Sequence, residues 1–134
     1  MIGSTKAVAC IPVRDLESAR RFYEDTLGCE VLGQNEGGLM LAAGDGSELF
    51  VYPTEHAGTA RHTLVSFRTD HVDDEIAELK DHGVTFETYP DMPGVSWDGE
   101  VAVMGEAEAR GVWFTDPDGN ILGLFQMVDV PALA

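Results

Sequence analysis

Short apolar runs alternate along this chain with two polar segments of helical period. Residues 8–13, VACIPV, are rich in β-formers and read as a strand. In the following LESARRFYEDTLG, Leu16, Ala19, Tyr23 and Leu27 recur at spacings of three and four, which makes one apolar helix face. Asp15 stands at the N-cap, Gly28 ends the segment, and Glu17–Arg21 and Arg20–Glu24 are spaced as i,i+4 pairs on the wet face. CEVLGQ, GLMLAAG and SELFVYP read as further strands, the last two joined through Asp45–Gly46, a hairpin signal.

A second series repeats the first. TLVSFRT (63–69) reads as a strand and HVDDEIAELKDHG as a helix, with Val72, Ile76 and Leu79 on one face and Gly83 at its end. Asp73, Asp74 and Glu75 occupy the first turn, where the helix dipole favours acids. VTFETYP, GVWFT and NILGLFQ read as strands, the last two turning at Asp118–Gly119. The order β-α-β-β-β therefore occurs twice, the mark of an internal duplication. Module one spans about 6–55 and module two about 62–127. Between the shared elements, residues 90–111 replace the short NEGG of the first copy, and so long an insertion suggests a lid or binding loop carrying Trp97.

Asp116, Asp118 and Asn120 have the 1, 3, 5 spacing of a calcium loop. That loop would need Gly at 121 and Glu at 127, where this chain has Ile121 and Met127. Pro117 and the flanking strands suit a turn better.

Composition narrows the function classes. A chain of 134 residues is one domain, long enough to bury a core. Its 24 acids against 8 bases give a net charge of -16, which argues against nucleic acid and anionic membranes as partners. Cys10 and Cys29 have neither metal spacing nor the density of a disulfide scaffold, and Cys10 reads best as a small buried apolar residue. With no signal peptide and no apolar run of membrane length, the expectation is a cytoplasmic protein with reduced thiols.

VRDLESARRFYEDTLGCEVLG and FTDPDGNILGLFQ, set in a duplicated βαβββ chain, resemble the vicinal oxygen chelate superfamily of glyoxalases, bleomycin-resistance proteins and extradiol dioxygenases. The resemblance covers roughly residues 6 to 127. It implies an α+β fold in which two tandem βαβββ modules form a curved mixed sheet around a cleft, helices outside, usually in a homodimer. It also implies metal ligands on the first and last strands of each module. Those positions here are Val8, seven residues before Asp15; Phe50, four after Gly46; Leu64, three before Phe67; and Gly123, four after Gly119. None offers an imidazole, carboxylate or thiolate, so no metal or other cofactor is expected. A rebuilt site at His62 with Glu48 is the weaker alternative.

Following each ligand position by twos along its strand gives the cleft face. It collects Cys10, Glu48, Phe50, Tyr52, Leu64, Ser66, Arg68, Ile121, Gly123 and Phe125, with Trp97 and Trp113 nearby. The opposite face, Ala9, Ile11, Val13, Leu49, Val51, Val65, Phe67, Leu122 and Leu124, is continuously apolar and should be core. Apolar walls with sparse polar groups describe a pocket for an aromatic or amphipathic small molecule. The reading favoured is a metal-independent binding protein of the bleomycin-resistance type. The alternative is a lyase, isomerase or oxygenase with a displaced metal site, or with metal-free acid–base chemistry at Glu48, Tyr52 or His62.

Overall fold

The computed structural model describes residues 1–105 and 109–127. They fall into two units, the first made of residues 1–60 with 116–120, the second of the remaining described residues from 61 onward. Each unit carries one copy of the βαβββ order, and the fold is the mixed α+β architecture expected from the sequence.

In the first unit, β1 (Ala9–Val13) lies parallel to β4 (Glu48–Pro53), followed by β3 (Gly38–Ala42) and β2 (Glu30–Asn35) in antiparallel register, giving the order β1-β4-β3-β2. Helix α1 (Leu16–Arg20) packs on β3 and β4. The Asp15 carboxylate caps it, accepting from Glu17 N at 3.0 Å and Ser18 Oγ at 3.1 Å, and these bonds hold its pKa below the usual value.

The helix predicted as one regular segment changes winding. Residues Arg21–Thr26 form a π turn, with Leu27 N bonded to Phe22 O and Cys29 N to Tyr23 O. Gly28, at φ 78°, then ends it. Ala19 and Tyr23 are buried, whereas Leu16 and Leu27 are only half-buried. Arg20 pairs with Glu24 at 3.4 Å as expected, but Arg21 turns to the Ser18 hydroxyl rather than to Glu17.

In the second unit, β5 (Thr63–Arg68) is parallel to β10 (Ile121–Met127), which is antiparallel to β9 (Ala109–Thr115). Helix α2 (Val72–Asp81) packs on β9 and β10 through Val72, Ile76 and Leu79. It ends in a left-handed Gly83 with Val84 N bonded to Leu79 O and Gly83 N to Lys80 O, a Schellman closure.

The insertion departs from the expected irregular loop. Val95–Asp98 (β7) and Val101–Met104 (β8) form a hairpin that extends the sheet, β8 pairing with residues 109–111 of β9. The strand expected over VTFETYP shrinks to β6, Phe86–Glu87, bonded to Phe114 and Trp113. The physical reason is competition for one edge, since β8 occupies the rest of β9 on that side.

The core face of both sheets is largely as the alternation predicts. Ile11, Val13, Leu49, Val51, Leu122 and Leu124 are buried, but Ala9, Val65 and Phe67 are half-exposed. Cys29 is buried, and that burial pushes its thiol pKa up. Cys10 is exposed, contrary to the buried apolar role expected of it.

DPDGN is a turn, and more than a turn. Asp116 and Asn120 are buried in the first unit. Asp116 Oδ1 accepts from the N–H groups of Asp118 and Asn120, both at 2.9 Å. Its Oδ2 accepts from Tyr23 Oη at 2.7 Å and Asn120 Nδ2 at 2.8 Å. Asn120 Nδ2 also donates to Pro12 O at 2.7 Å, and its Oδ1 accepts from Gly58 N at 3.2 Å. With both oxygens doubly bonded to donors, the carboxylate has no lone pair left for a cation. Gly58, at φ 73°, lies so close to Asp118 O that any Cβ there would collide with it.

Burial and the neighbouring Asp116 carboxylate push the Tyr23 phenol far above its ordinary pKa. Tyr23→Phe should cost about 1–3 kcal/mol in urea unfolding at pH 7, because it removes a donor from a buried carboxylate. The native phenol stays protonated, so its stabilisation is complete below the unfolded tyrosine pKa of about 10 and falls as pH rises beyond it. The gap between wild type and Tyr23→Phe should therefore narrow above that pH; a constant gap would contradict the linkage. Of the 2 cysteines, Cys10 should react at once with a disulfide reagent and Cys29 only on unfolding, so equal rates would contradict the burial pattern.

Candidate functional site

Gly123 marks the centre of the second unit's sheet. In register it faces Trp113 on β9, and two residues further on Phe125 faces Gly111. The Phe125 ring folds back across both glycines. A Cβ built on Gly123 would stand 2.5 Å from Phe125 Cε2 and 3.0 Å from Ser66 Oγ, and one on Gly111 would strike the same ring. The missing side chains thus make room for an aromatic ring laid against the backbone.

Around that ring the aromatics pack edge to face or tilted. Trp113 lies 5.2 Å from Phe125 at 74°, Tyr89 lies 5.3 Å from Trp113 at 74°, and Trp97 lies 5.9 Å from Trp113 at 48°. These separations are within the favourable range for aromatic pairs. Trp113 is fixed by its indole N–H, which donates to Thr63 Oγ1 at 3.0 Å. Burial, with the Glu87 charge nearby, raises the Tyr89 phenol pKa, so this hydroxyl stays neutral at ordinary pH.

A cavity of about 480 Å³ opens beside this cluster. Trp113, Phe125, Met104 and Met127 form its apolar wall together with Phe67, which the alternation had assigned to the opposite face, and Thr63, Ser66 and Arg68 supply its polar groups. Methionine side chains adapt their shape to what they touch, so the wall combines rigid rings with compliant thioethers. The volume and lining suit a small organic ligand.

The residues expected to face a cleft are distributed between the units. Ser66, Trp113 and Phe125 line the cavity, Gly123 lies beneath the Phe125 ring, and Trp97 packs on Trp113. Leu64 is not among the lining residues. Its strand bulges there, since Ile121 faces Thr63 while Leu122 faces Val65, and Thr63 takes the cleft-facing place. In the first unit Phe50 and Tyr52 stack at 6.0 Å and 9°, with Cys10 opposite Phe50 in the ladder. Met104 and Met127 escaped the sequence reading. Met104 sits in an insertion whose strands had no clear period, and Met127 lies at the very end of β10.

Val8, Phe50, Leu64 and Gly123, where the resemblance led metal ligands to be expected, carry no imidazole, carboxylate or thiolate. A Cβ at Gly123 would meet the Phe125 ring and the Ser66 hydroxyl. His62 is exposed with Nδ1 3.1 Å from Thr63 O, and Glu48 is ion-paired with Lys6.

A model of the Glyoxalase/Bleomycin resistance protein/Dioxygenase superfamily matches residues 5–124. Among solved structures, TnmS3, an antibiotic binding protein from Streptomyces sp. CB03234, is 28% identical, with a TM-score of 0.66 over 92% of this chain and 98% of that one. A glyoxalase/bleomycin resistance protein from the same organism is 29% identical, with a TM-score of 0.64 over 90% and 98%. A bleomycin-binding protein complexed with bleomycin shares the fold at 24% identity, TM-score 0.67, over 92% and 98%. With two βαβββ copies and a family match over nearly its whole length, the chain belongs to the glyoxalase/bleomycin resistance protein/dioxygenase superfamily.

Proposed function

We propose that this protein binds an aromatic or amphipathic small molecule, without a metal, in the cleft of its second unit. The observation that carries the reading is the ring platform of Trp113 and Phe125, set over two glycines and opening on a cavity with few polar groups. Flat conjugated molecules stack on such surfaces, and sparse hydrogen-bonding groups fix their orientation. Similarity to an antibiotic binding protein at 28% identity supports the same reading. The β7–β8 hairpin acts as one wall, contributing Met104 directly and Trp97 through its contact with Trp113. A homodimer is part of the proposal, as is a role for Cys10, Phe50 and Tyr52 on the ligand-facing sheet of the first unit.

The enzyme alternative draws less support from the side chains it would use. Glu48 is held by Lys6, and His62 is exposed beside its own strand's carbonyl. Among the described residues, and apart from Lys6 on Glu48, neither is hydrogen-bonded to a second acid or base that would orient and tune it as a general base.

Both tryptophans, Trp97 and Trp113, belong to the aromatic cluster, so intrinsic fluorescence reports on the site directly. Titration with bleomycin and a panel of planar aromatic antibiotics should produce saturable quenching by at least one compound. Phe125→Leu, which keeps an apolar side chain but loses the ring face, should weaken that ligand about five- to tenfold. No saturable response up to about 100 μM would reject the binding reading, since that corresponds to a ΔG weaker than about -5.5 kcal/mol. Incubation with nickel, zinc, manganese or ferrous iron, followed by desalting, should leave less than about a tenth of an equivalent of metal. Near-stoichiometric metal that disappears in His62→Ala would replace metal independence with a moved site.

A further inference from the structure

We infer that Ser66 and Arg68 form an anion-recognising pair in the cleft, so that the preferred ligand is an aromatic ring system bearing an acidic group such as a carboxylate or sulfonate. The inference rests on the reading of the cleft as a small-molecule site and adds the chemical class of what enters it.

The two residues stand two apart on β5 and therefore share a face. Both line the cavity, and the parallel ladder sets Ser66 opposite Gly123 and Arg68 opposite Phe125. Their donors thus border the ring platform itself. Among the described residues, neither side chain makes a hydrogen bond or ion pair. Two other cations of this unit are engaged, Arg110 reaching Asp73 through both terminal nitrogens and Lys80 pairing with Glu100, while the exposed Arg61 lies outside the cavity lining. In a chain with 24 acids and 8 bases, a cation that pairs with no carboxylate among the described residues and stands beside stacked rings is well suited to an outside anion.

The chemistry matches the arrangement. A guanidinium presents five N–H donors in a planar fork that fits a carboxylate or sulfonate, and its flat face can lie over an aromatic ring. The Ser66 hydroxyl offers one more donor on the Gly123 side. The net charge of -16 opposes an approaching anion at long range, but screening over about 8 Å at physiological salt leaves the local donors to decide selectivity inside the cleft.

Two dyes separate the ring from the charge. 1-Anilinonaphthalene-8-sulfonate and N-phenyl-1-naphthylamine share their ring systems and differ in the sulfonate. Each would be titrated against the full chain, with energy transfer from tryptophan to dye as the signal and thermal melts to check folding. The sulfonate should bind more tightly than the neutral dye. Arg68→Gln should weaken it about five- to tenfold while the neutral dye changes less than about twofold. Ser66→Ala should give a smaller loss of the same selectivity. Arg61→Gln, an exposed arginine outside the cavity lining, should change neither dye.

Arg68→Lys keeps the charge without the fork and should fall between wild type and Arg68→Gln; it also serves if Arg68→Gln fails to fold. Equal losses for both dyes in Arg68→Gln, undiminished sulfonate selectivity in that variant, or an equal effect from Arg61→Gln would overturn the pair. Binding of the neutral dye alone would overturn the anion preference and leave the cleft reading standing. Failure of both dyes to bind would remove the cleft reading, and this inference with it.

Discussion

One buried carboxylate organises the first unit. Asp116 receives four hydrogen bonds, from a tyrosine in a π turn, from the Asn120 side chain, and from two backbone amides of its own turn. An ionised group out of water is tolerable only when its lone pairs are met in this way. Each donor is fixed in turn by its own surroundings. Tyr23 is fully buried, Asn120 bridges to Pro12 and Gly58, and Gly58 has no side chain because Asp118 leaves no room. Residues separated by about a hundred positions thus set one another's geometry, and the wider turn of the helix after Arg20 is part of how Tyr23 reaches its partner.

The second unit is organised around an apolar counterpart. Where Asp116 gathers donors, Gly111 and Gly123 clear space for a ring. Phe125 fills that space, and Trp113, Trp97 and Tyr89 build outward from it.

Much of the fold was legible from period and punctuation. α2 runs close to its predicted span, because its apolar stripe, first-turn acids and terminal Gly83 all indicate the same helix. The duplicated order was visible because turn residues recur at matching places. Strand alternation put Ser66 and Phe125 on the face that lines the cavity. It failed at Leu64, where a bulge shifts the count by one and brings Thr63 forward. It also missed the hairpin in 90–111, whose strands are only four residues long and were masked by glycines, acids and prolines. Cys10 went the other way, since thiols are commonly buried and nothing local signals that this one is exposed.

The sequence alone determined the family, the repeated βαβββ order and most of the apolar face of each sheet. These are properties of residue type and short-range spacing, and they survive without knowledge of distant neighbours. Tertiary structure alone decided that a turn-like DPDGN segment supplies a saturated buried carboxylate, that Gly123 lies beneath a folded-back ring, and that β8 displaces most of the strand expected before it. All three depend on which groups compete for the same volume, lone pair or strand edge, and that competition is settled only when remote parts of the chain meet.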